Sequence, residues 1–109
     1  MDVFSALADP TRRKIMELLA NNGQLTATEI CEKFSMTPPA ISQHLKVLRE
    51  ANLVQMEKRA QQHIYRINPQ PMLELEGWAR QMSDLWNARL DALDRLLQAE
   101  KKKNLINDK

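Results

Sequence analysis

The sequence predicts a mainly α-helical (α+β) protein with one small β-hairpin, arranged as a winged helix-turn-helix with a long C-terminal helix. Glycine is rare, with only 2 among 109 residues, which disfavours architectures that need many tight turns. Two helical segments joined by a short turn precede two strand-like segments, and an unbroken helical pattern follows. This order predicts a single domain over residues 1–100, with residues 101–109 as a charged, frayed tail.

The first half of the chain carries start and stop signals for four helices. Thr or Asp caps and first-turn prolines mark where helices begin, and Gly or Asn marks where they end. Thr26 and Glu29 have the spacing of a capping box, which opens the third helix. The predicted helices span residues 3–8, 10–20, 27–34 and 38–51, with N-caps at Asp9, Thr26 and Thr37 and terminators at Gly23 and Asn52.

The second half of the chain predicts a hairpin followed by one long helix. Residues 53–58 and 62–67 alternate apolar and polar side chains, as half-buried strands do, and residues 59–61 connect them. Two prolines within residues 68–71 predict a break in the chain. Residues 71–100 then predict a helix about 45 Å long, at about 1.5 Å per residue.

The fourth helix has two different faces. Ile41, Leu45 and Leu48 lie within about 40° of one line along the helix, so this face is expected to pack on the core. The opposite face has short or hydrogen-bonding side chains near its start and basic ones further on, as a helix in the DNA major groove does. An ordinary solvent-exposed helix has a similar face, so the pattern leaves both interpretations open. The candidate DNA contacts on this helix are Thr37, Pro39, Ser42, Gln43, Lys46 and Arg49.

Several of these candidates have a defined chemistry toward DNA. Gln43 can pair bidentately with adenine, and Ser42 can contact a base or a phosphate. Lys46, Arg49 and the backbone amides at the start of the helix are expected to contact phosphates. The charge distribution agrees, because residues 37–66 carry five basic and two acidic side chains, a net charge of +3.

The predicted hairpin adds a second polar element. Lys58, Arg59, Gln61 and Gln62 cluster near its tip, and a tip of this composition can follow the phosphate backbone or enter the minor groove. Hairpin tips are commonly hydrophilic, so this observation alone favours an ordinary solvated turn. Combined with the fourth helix, it favours a DNA-binding surface made of helix 38–51 and wing 55–64.

The last predicted helix carries more apolar side chains than a small domain can cover. Its stripe follows steps of three and four residues, and a stripe with two Trp is not expected to stay in water. Packing within one chain explains part of it, and a two-fold dimer in which this helix meets its copy beside the first helix is the favoured interpretation. Such a dimer would present two recognition helices to an inverted repeat, with half-sites about one helical turn apart. The predicted dimer contacts are Phe4, Leu75, Met82, Trp86, Leu90, Leu93 and Leu97.

Two segments resemble the ArsR-type bacterial transcriptional regulators. Residues 4–15, Phe-Ser-Ala-Leu-Ala-Asp-Pro-Thr-Arg-Arg-Lys-Ile, resemble the opening of that family. Residues 41–54, Ile-Ser-Gln-His-Leu-Lys-Val-Leu-Arg-Glu-Ala-Asn-Leu-Val, resemble its recognition helix and first wing strand. The resemblance covers about residues 3–70. It implies a homodimeric winged-helix repressor whose partner is double-stranded operator DNA at its own or a neighbouring promoter.

The resemblance also implies roles for individual residues. The family usually has Gly where this chain has Asn52, and Asn tolerates the left-handed conformation that this position needs. By resemblance, the base-facing candidates are Pro39, Ser42, Gln43 and Lys46, and the wing candidates are Arg59 and Gln61.

Many ArsR-type proteins sense metals, but the metal-site patterns of the family are incomplete in this chain. One pattern places two thiolates one residue apart on the third helix, where this chain has Cys31 and Lys33. Another uses His and carboxylates on the last helix, and residues 71–109 contain no His. The three or four ligands that a zinc or thiophilic site needs cannot be assembled. We therefore expect no metal and no cofactor, with Cys31 buried beside Ile30 and Phe34.

Other classes of function find less support in the sequence. The chain has no glycine-rich phosphate loop, nucleophile elbow or Cys–His–Asp set, so no catalytic residue is predicted. A single cysteine and the lack of a long apolar segment predict a soluble cytoplasmic protein without membrane contact. Two alternatives stay open, a winged-helix module for protein–protein interaction and a redox-responsive regulator that acts through Cys31. The sequence identifies no small-molecule effector.

Overall fold

The computed structural model describes residues 2–107, with side chains to residue 104, and confirms a mainly helical fold with a small sheet. The chain divides into a winged-helix unit, Met1–Leu73, and a C-terminal unit, Glu74–Lys109. That residues 1–100 form one domain stays a prediction. The elements are α1 Val3–Leu7, α2 Pro10–Asn22, β1 Leu25–Thr26, α3 Ala27–Glu32, α4 Pro38–Glu50, β2 Val54–Arg59, β3 Gln62–Ile67 and α5 Pro69–Asn107.

The helices begin at the caps that the sequence predicts. The carboxylate of Asp9 accepts the backbone N–H of Arg12 at 3.0 Å at the start of α2. In the capping box of α3, the Thr26 hydroxyl accepts the N–H of Glu29 at 3.1 Å, and the Glu29 carboxylate accepts the N–H of Thr26 at 3.0 Å. α2 extends two residues beyond its predicted end, to Asn22, and stops at Gly23, which adopts a φ of 82°.

A Schellman motif closes the C-terminus of α4 and directs the chain into β2. The N–H of Leu53 donates to the C=O of Leu48, and the N–H of Asn52 donates to the C=O of Arg49, both at 3.0 Å. Asn52 supplies the left-handed residue, with a φ of 61°. Asn68 ties this turn to the end of β3, because its side chain donates to the C=O of Asn52 at 2.9 Å. α4 and the hairpin are therefore joined by a fixed turn.

The hairpin has the predicted antiparallel pairing, but its turn is shorter than the predicted connection 59–61, because Arg59 belongs to β2. The ladder ends at the pair Arg59–Gln62, so Ala60 and Gln61 form a two-residue turn in which Ala60 has a φ of 54°. The sequence does not predict the third strand, β1, which pairs with β3 to give the order β1-β3-β2. Because β1 has only two residues, it shows no alternation that could be recognised.

The core of the winged-helix unit collects the apolar faces of α2, α3 and α4 and the start of β2. Full burial of one large aliphatic side chain contributes about 1.5–3 kcal/mol to the hydrophobic stabilisation of the fold. The largest fully buried side chains, each at most 2% exposed, are Ile15, Leu19, Ile30, Ile41, Leu45, Leu48 and Leu53.

The end of α3 corrects one prediction. α3 ends at Glu32, two residues before its predicted end, and Cys31 and Phe34 are half-buried rather than buried. The reason is that the last turn tightens. The N–H of Lys33 donates to the C=O of Ile30, and that of Phe34 donates to Cys31, so both bonds span three residues.

The bounds of α5 correct two more predictions. α5 begins at Pro69, because prolines in a first helical turn sacrifice no intrahelical hydrogen bond, and residues 68–71 therefore open the helix rather than interrupt the chain. The side chain of Asn68 accepts the N–H of Gln70 at 3.4 Å. α5 continues to Asn107, so residues 101–107 of the predicted frayed tail are helical, as good helix formers such as Lys permit. Residues 108–109 of that tail lie outside the described residues.

Candidate nucleic-acid interface

α4 is held on the core by one face and exposes the other, as its periodicity predicts. Ile41, Leu45 and Leu48 are buried, while His44 and Val47 at the edges of the buried face are half-buried. This orientation turns every predicted contact of the helix toward solvent. The exposed candidates are Thr37, Pro39, Ser42, Gln43, Lys46 and Arg49.

Three polar side chains on the exposed face have no partner within the protein. Ser42, Gln43 and Lys46 form no side-chain hydrogen bond or ion pair with any residue among 2–104. Their donors and acceptors can therefore bind another molecule without breaking an internal contact. Sequence periodicity predicts that they are exposed, and the structure adds that they are unpaired.

The first turn of α4 overturns one expectation about phosphate contacts. Pro38 and Pro39 have no N–H, and the N–H of Ala40 already donates to the hydroxyl of Thr37 at 3.3 Å. The first three residues of the helix therefore offer no unpaired amide to a phosphate. Because the Thr37 hydroxyl accepts in this bond, its hydrogen stays available for donation outward.

The wing, residues 55–64 of the hairpin that β2 and β3 form, carries the other predicted contacts. Lys58, Arg59 and Gln61 are exposed. Arg59 is already paired, because its Nε lies 3.2 Å from one carboxylate oxygen of Glu57. The second oxygen of Glu57 lies 3.5 Å from Nη1 of Arg66. Exposed pairs of this kind contribute only about 0–1 kcal/mol, so Arg59 can exchange Glu57 for another anion at small cost.

A contact that the sequence does not predict joins α4 to the start of α2. Nη1 of Arg12 lies 3.4 Å from Nδ1 of His44, and a carboxylate oxygen of Asp9 lies 3.9 Å from the same nitrogen. Arg12 and His44 are separated by 32 residues. No local spacing rule brings such residues together, so sequence periodicity could only assign His44 to the edge of the buried face.

Two carboxylates at the starts of α2 and α3 have lowered pKa values, as does Asp2 at the start of α1. The backbone N–H of Arg12 holds the pKa of Asp9 below its ordinary value, against the raising effect of partial burial. The backbone N–H of Thr26 lowers the pKa of Glu29 in the same way. Both groups are therefore ionised at neutral pH, and their charge complements the positive N-terminal end of the helix dipole.

The predicted dimer contacts are mostly exposed apolar side chains. In the winged-helix unit, Phe4 is 56% exposed. In the C-terminal unit, Leu75 is half-buried, whereas Trp86 is 60% and Leu93 52% exposed. The stripe is completed by the exposed residues Met82, Leu90 and Leu97, with Trp78, Leu85 and Leu96 beside it.

Groups that would point to other kinds of site are few. Among the described residues, no cluster of three or more His, Cys, Asp or Glu side chains could hold a metal ion. Cys31 is a free, half-buried thiol. In the part of the chain from residue 2 to 107, no helix has the length and apolarity needed to cross a bilayer.

The fold and this surface together define a winged-helix protein that presents polar and basic side chains on α4 and the wing. Residues 9–56 match the family model described as bacterial regulatory protein, arsR family. The chain is 38% identical over 77 residues to the transcriptional repressor SdpR of Bacillus subtilis. This alignment covers 71% of this chain and 84% of SdpR. It is 34% identical over 97 residues to the HTH-type transcriptional regulator Rv2034 of Mycobacterium tuberculosis, covering 89% of this chain and 87% of that protein.

A solved structure agrees with these sequence relatives. The ArsR-like transcriptional regulator from Rhodococcus sp. RHA1 matches with a TM-score of 0.77 and 25% identity, over 89% of this chain and 88% of that one. The protein therefore belongs to the ArsR family of bacterial regulatory proteins, which confirms the resemblance seen in the sequence. It is a DNA-binding transcriptional regulator and not an enzyme.

Proposed function

We propose that this protein is a homodimeric transcriptional repressor that binds an inverted-repeat operator through helix 38–51 and wing 55–64, without a metal effector. The observation that carries the proposal is the exposed face of α4, where Ser42, Gln43 and Lys46 have no partner among residues 2–104. The names of relatives such as SdpR, a transcriptional repressor, support repression as the direction of control.

In this proposal, α4 lies in the major groove with its buried face turned away from DNA. The Gln43 amide pairs bidentately with an adenine edge, and Ser42 contacts a base or a phosphate. Lys46 and Arg49, further along the helix, neutralise phosphates, and the Thr37 hydroxyl donates to another phosphate. Pro39 has a short side chain, which lets the backbone approach the bases closely.

The wing provides the second contact with DNA. Lys58 and Gln61 near its tip reach the backbone or the minor groove beside the helix. Arg59 leaves Glu57 for a phosphate, which is favourable because an exposed ion pair loses little when it is exchanged for another. Phosphate contacts of this kind fix the position of α4 but carry no sequence information themselves.

A second copy of the chain completes the proposal. The exposed stripe that includes Trp86, Leu90 and Leu93 is an apolar surface that soluble monomers rarely leave uncovered. A two-fold interface is self-complementary, so the same stripe can cover itself, with Phe4 and Leu75 as further contacts. Two copies of α4 would then bind two half-sites about one helical turn apart.

The proposal includes no metal effector, for a chemical reason. A thiophilic metal needs several soft ligands, and Lys33, two positions after Cys31, stands where a second thiolate would be required. A charged ammonium group has no lone pair with which to coordinate a metal. Added zinc, copper or arsenite should therefore leave the affinity for operator DNA unchanged.

The test is a titration of duplex DNA from the region upstream of the gene, at salt concentrations from about 50 to 200 mM. The dissociation constant should rise steeply, with a log–log slope of several units, because each phosphate contact releases counterions. A flat salt response, or no binding, contradicts the proposal and favours the protein–protein interaction module instead.

Gln43→Ala tests whether α4 reads bases. The variant should weaken operator binding by about 1–3 kcal/mol and leave random DNA unaffected. Gln81→Ala is the matched control, since Gln81 is an exposed glutamine on α5 and should change neither affinity. Equal weakening of operator and random DNA by Gln43→Ala would show that Gln43 is not a base-reading residue.

A further inference from the structure

Arg12 joins three helices of the winged-helix unit. Its Nε donates to the C=O of Ala6 at 2.6 Å, and its Nη2 donates to the C=O of Ser5 at 3.2 Å, so it closes the C-terminal end of α1. Its Nη1 lies 3.4 Å from Nδ1 of His44 on α4. Because Arg12 belongs to α2, one guanidinium connects α1, α2 and α4.

The contact selects one state of the His44 ring. A guanidinium has only donors, so Nδ1 must accept and the ring proton must lie on Nε2. The charged partners of this ring among residues 2–104 are Arg12 and Asp9. Asp9 lies 3.9 Å from Nδ1, and its carboxylate already accepts the N–H of Arg12 at 3.0 Å. The contact with Arg12 therefore requires the tautomer that carries its proton on Nε2.

His44 provides the directional attachment of α4. Among residues 2–104, no other side-chain hydrogen bond or ion pair joins α4 to another element. The remaining side-chain attachment is the apolar face of Ile41, Leu45 and Leu48. This apolar face decides which side of α4 is buried, and because apolar contact is non-directional, the bond to Arg12 adds a fixed direction to that packing.

We propose that Arg12 and His44 are positioning residues for DNA reading, whose contact sets the rotation of α4 and hence the direction of Gln43. Gln43 directly precedes His44, so a rotation that breaks the contact also turns the Gln43 amide away from its base. This role rests on the proposed function, because rotation matters only where α4 reads bases. Through α1, which carries Phe4, the same contact links a predicted dimer residue to the reading helix.

Arg13 offers a matched control within the same helix. Its Nη1 donates to the C=O groups of Leu7 and Ala8, at 2.6 and 3.0 Å. Arg13 thus closes the end of α1 as Arg12 does, but among the described residues it makes no side-chain bond to α4. Substituting each arginine by lysine keeps the charge and removes the planar fork.

The experiment compares four variants by their dissociation constants for operator and random duplexes of equal length, and by thermal unfolding. Arg12→Lys and His44→Leu should weaken operator binding about tenfold and leave random DNA within about twofold. Arg13→Lys and His44→Asn should stay within about twofold on both duplexes, because Asn retains an acceptor where Nδ1 stands. Unchanged operator binding by a folded His44→Leu, or equal weakening by His44→Asn, would overturn the proposal.

Imidazole ¹⁵N chemical shifts separate this inference from the proposed function, since they require no DNA. His44 of the wild-type protein should show an unprotonated Nδ1, and Arg12→Lys should shift that resonance while Arg13→Lys should not. A protonated Nδ1 in the wild type would overturn the positioning contact even if operator binding is normal. If the wild type fails to distinguish operator from random DNA while the shifts agree, the contact exists but the proposed function, and the positioning role with it, is wrong.

Discussion

The winged-helix unit and the C-terminal unit have similar apolar side chains but place them in opposite environments. In the winged-helix unit, Ile15, Ile41 and Leu48 are fully buried within the chain. In the C-terminal unit, Trp86 and Leu93 are more than half exposed. The difference teaches that the first unit is stabilised by its own core, whereas the apolar stripe of the second can be buried only by contact with another surface.

The largest effect should come from matched leucine truncations in the two units. Leu48→Ala should lower the free energy of unfolding by about 2–5 kcal/mol at every protein concentration, because it leaves a cavity in a closed core. Leu93→Ala should lower it only at concentrations where the proposed dimer forms. Urea denaturation at two concentrations about 100-fold apart measures both losses. Equal, concentration-independent losses would show that Leu93 is packed within its own chain.

The next effect concerns the stripe itself. Trp86→Glu should raise the dissociation constant of the dimer at least about 30-fold, since it places a charge in an apolar interface. Ala88→Glu adds the same charge on the opposite side of α5 and should leave the dimer intact. Sedimentation equilibrium distinguishes the outcomes, and an unchanged dimer for Trp86→Glu would place the interface elsewhere.

A smaller effect is expected at the helix caps of the winged-helix unit. Thr26→Ala should lower the free energy of unfolding by about 1 kcal/mol, because it leaves the N–H of Glu29 without its acceptor.

Glu29→Gln tests the contribution of the negative charge in the same capping box. Since folding lowers the pKa of Glu29, its carboxylate adds stability above its unfolded pKa, and this advantage disappears as the pH falls through the folded value.

Thermal or urea unfolding of the wild type and Glu29→Gln between pH 7 and pH 3 measures this contribution. The wild type should be the more stable protein at pH 7, and the difference should vanish at acidic pH. A difference that persists unchanged at the lowest pH would show that the charge of Glu29 makes no contribution.

The smallest effect is expected on the polar face of the C-terminal unit. Arg80 pairs with Glu76 at 3.0 Å, one helical turn away, and both side chains are exposed. Arg80→Ala should therefore reduce stability by about 0.2–0.5 kcal/mol, and the loss should disappear in high salt. Arg95→Ala is the control, because Arg95 has no ion pair among residues 2–104. A loss for Arg80→Ala that is equal in low and high salt would contradict the electrostatic origin.

Local signals in the sequence predict most of the fold and the exposed part of the candidate site. Thr26, Thr37 and Asp9 act within three residues of their partners, so a cap can be recognised without tertiary information. The exposure of Gln43 follows from the helical period alone. The sheet strand β1, in contrast, is too short to show a period.

Features that depend on distant partners could not be predicted. The contact between Arg12 and His44 spans 32 residues, and no periodicity encodes it. The pairing of Arg59 with Glu57 is local, since the two residues are two apart in the chain, but it depends on the side-chain conformations that the wing adopts. The start of α5, in contrast, could have been predicted from the sequence. Pro69 and Pro71 both fit a first helical turn, where they remove no hydrogen bond.

The most direct test of the central claim is a hydroxyl-radical footprint of the wild-type protein on DNA upstream of the gene. The proposed dimer should protect two half-sites related by a two-fold axis, with centres about one helical turn, about 34–36 Å, apart on one face of the duplex. Gln43→Ala should erase both protected patches together at protein concentrations at which the wild type still protects them. A single unsymmetrical patch, or uniform protection without sequence preference, would contradict the account.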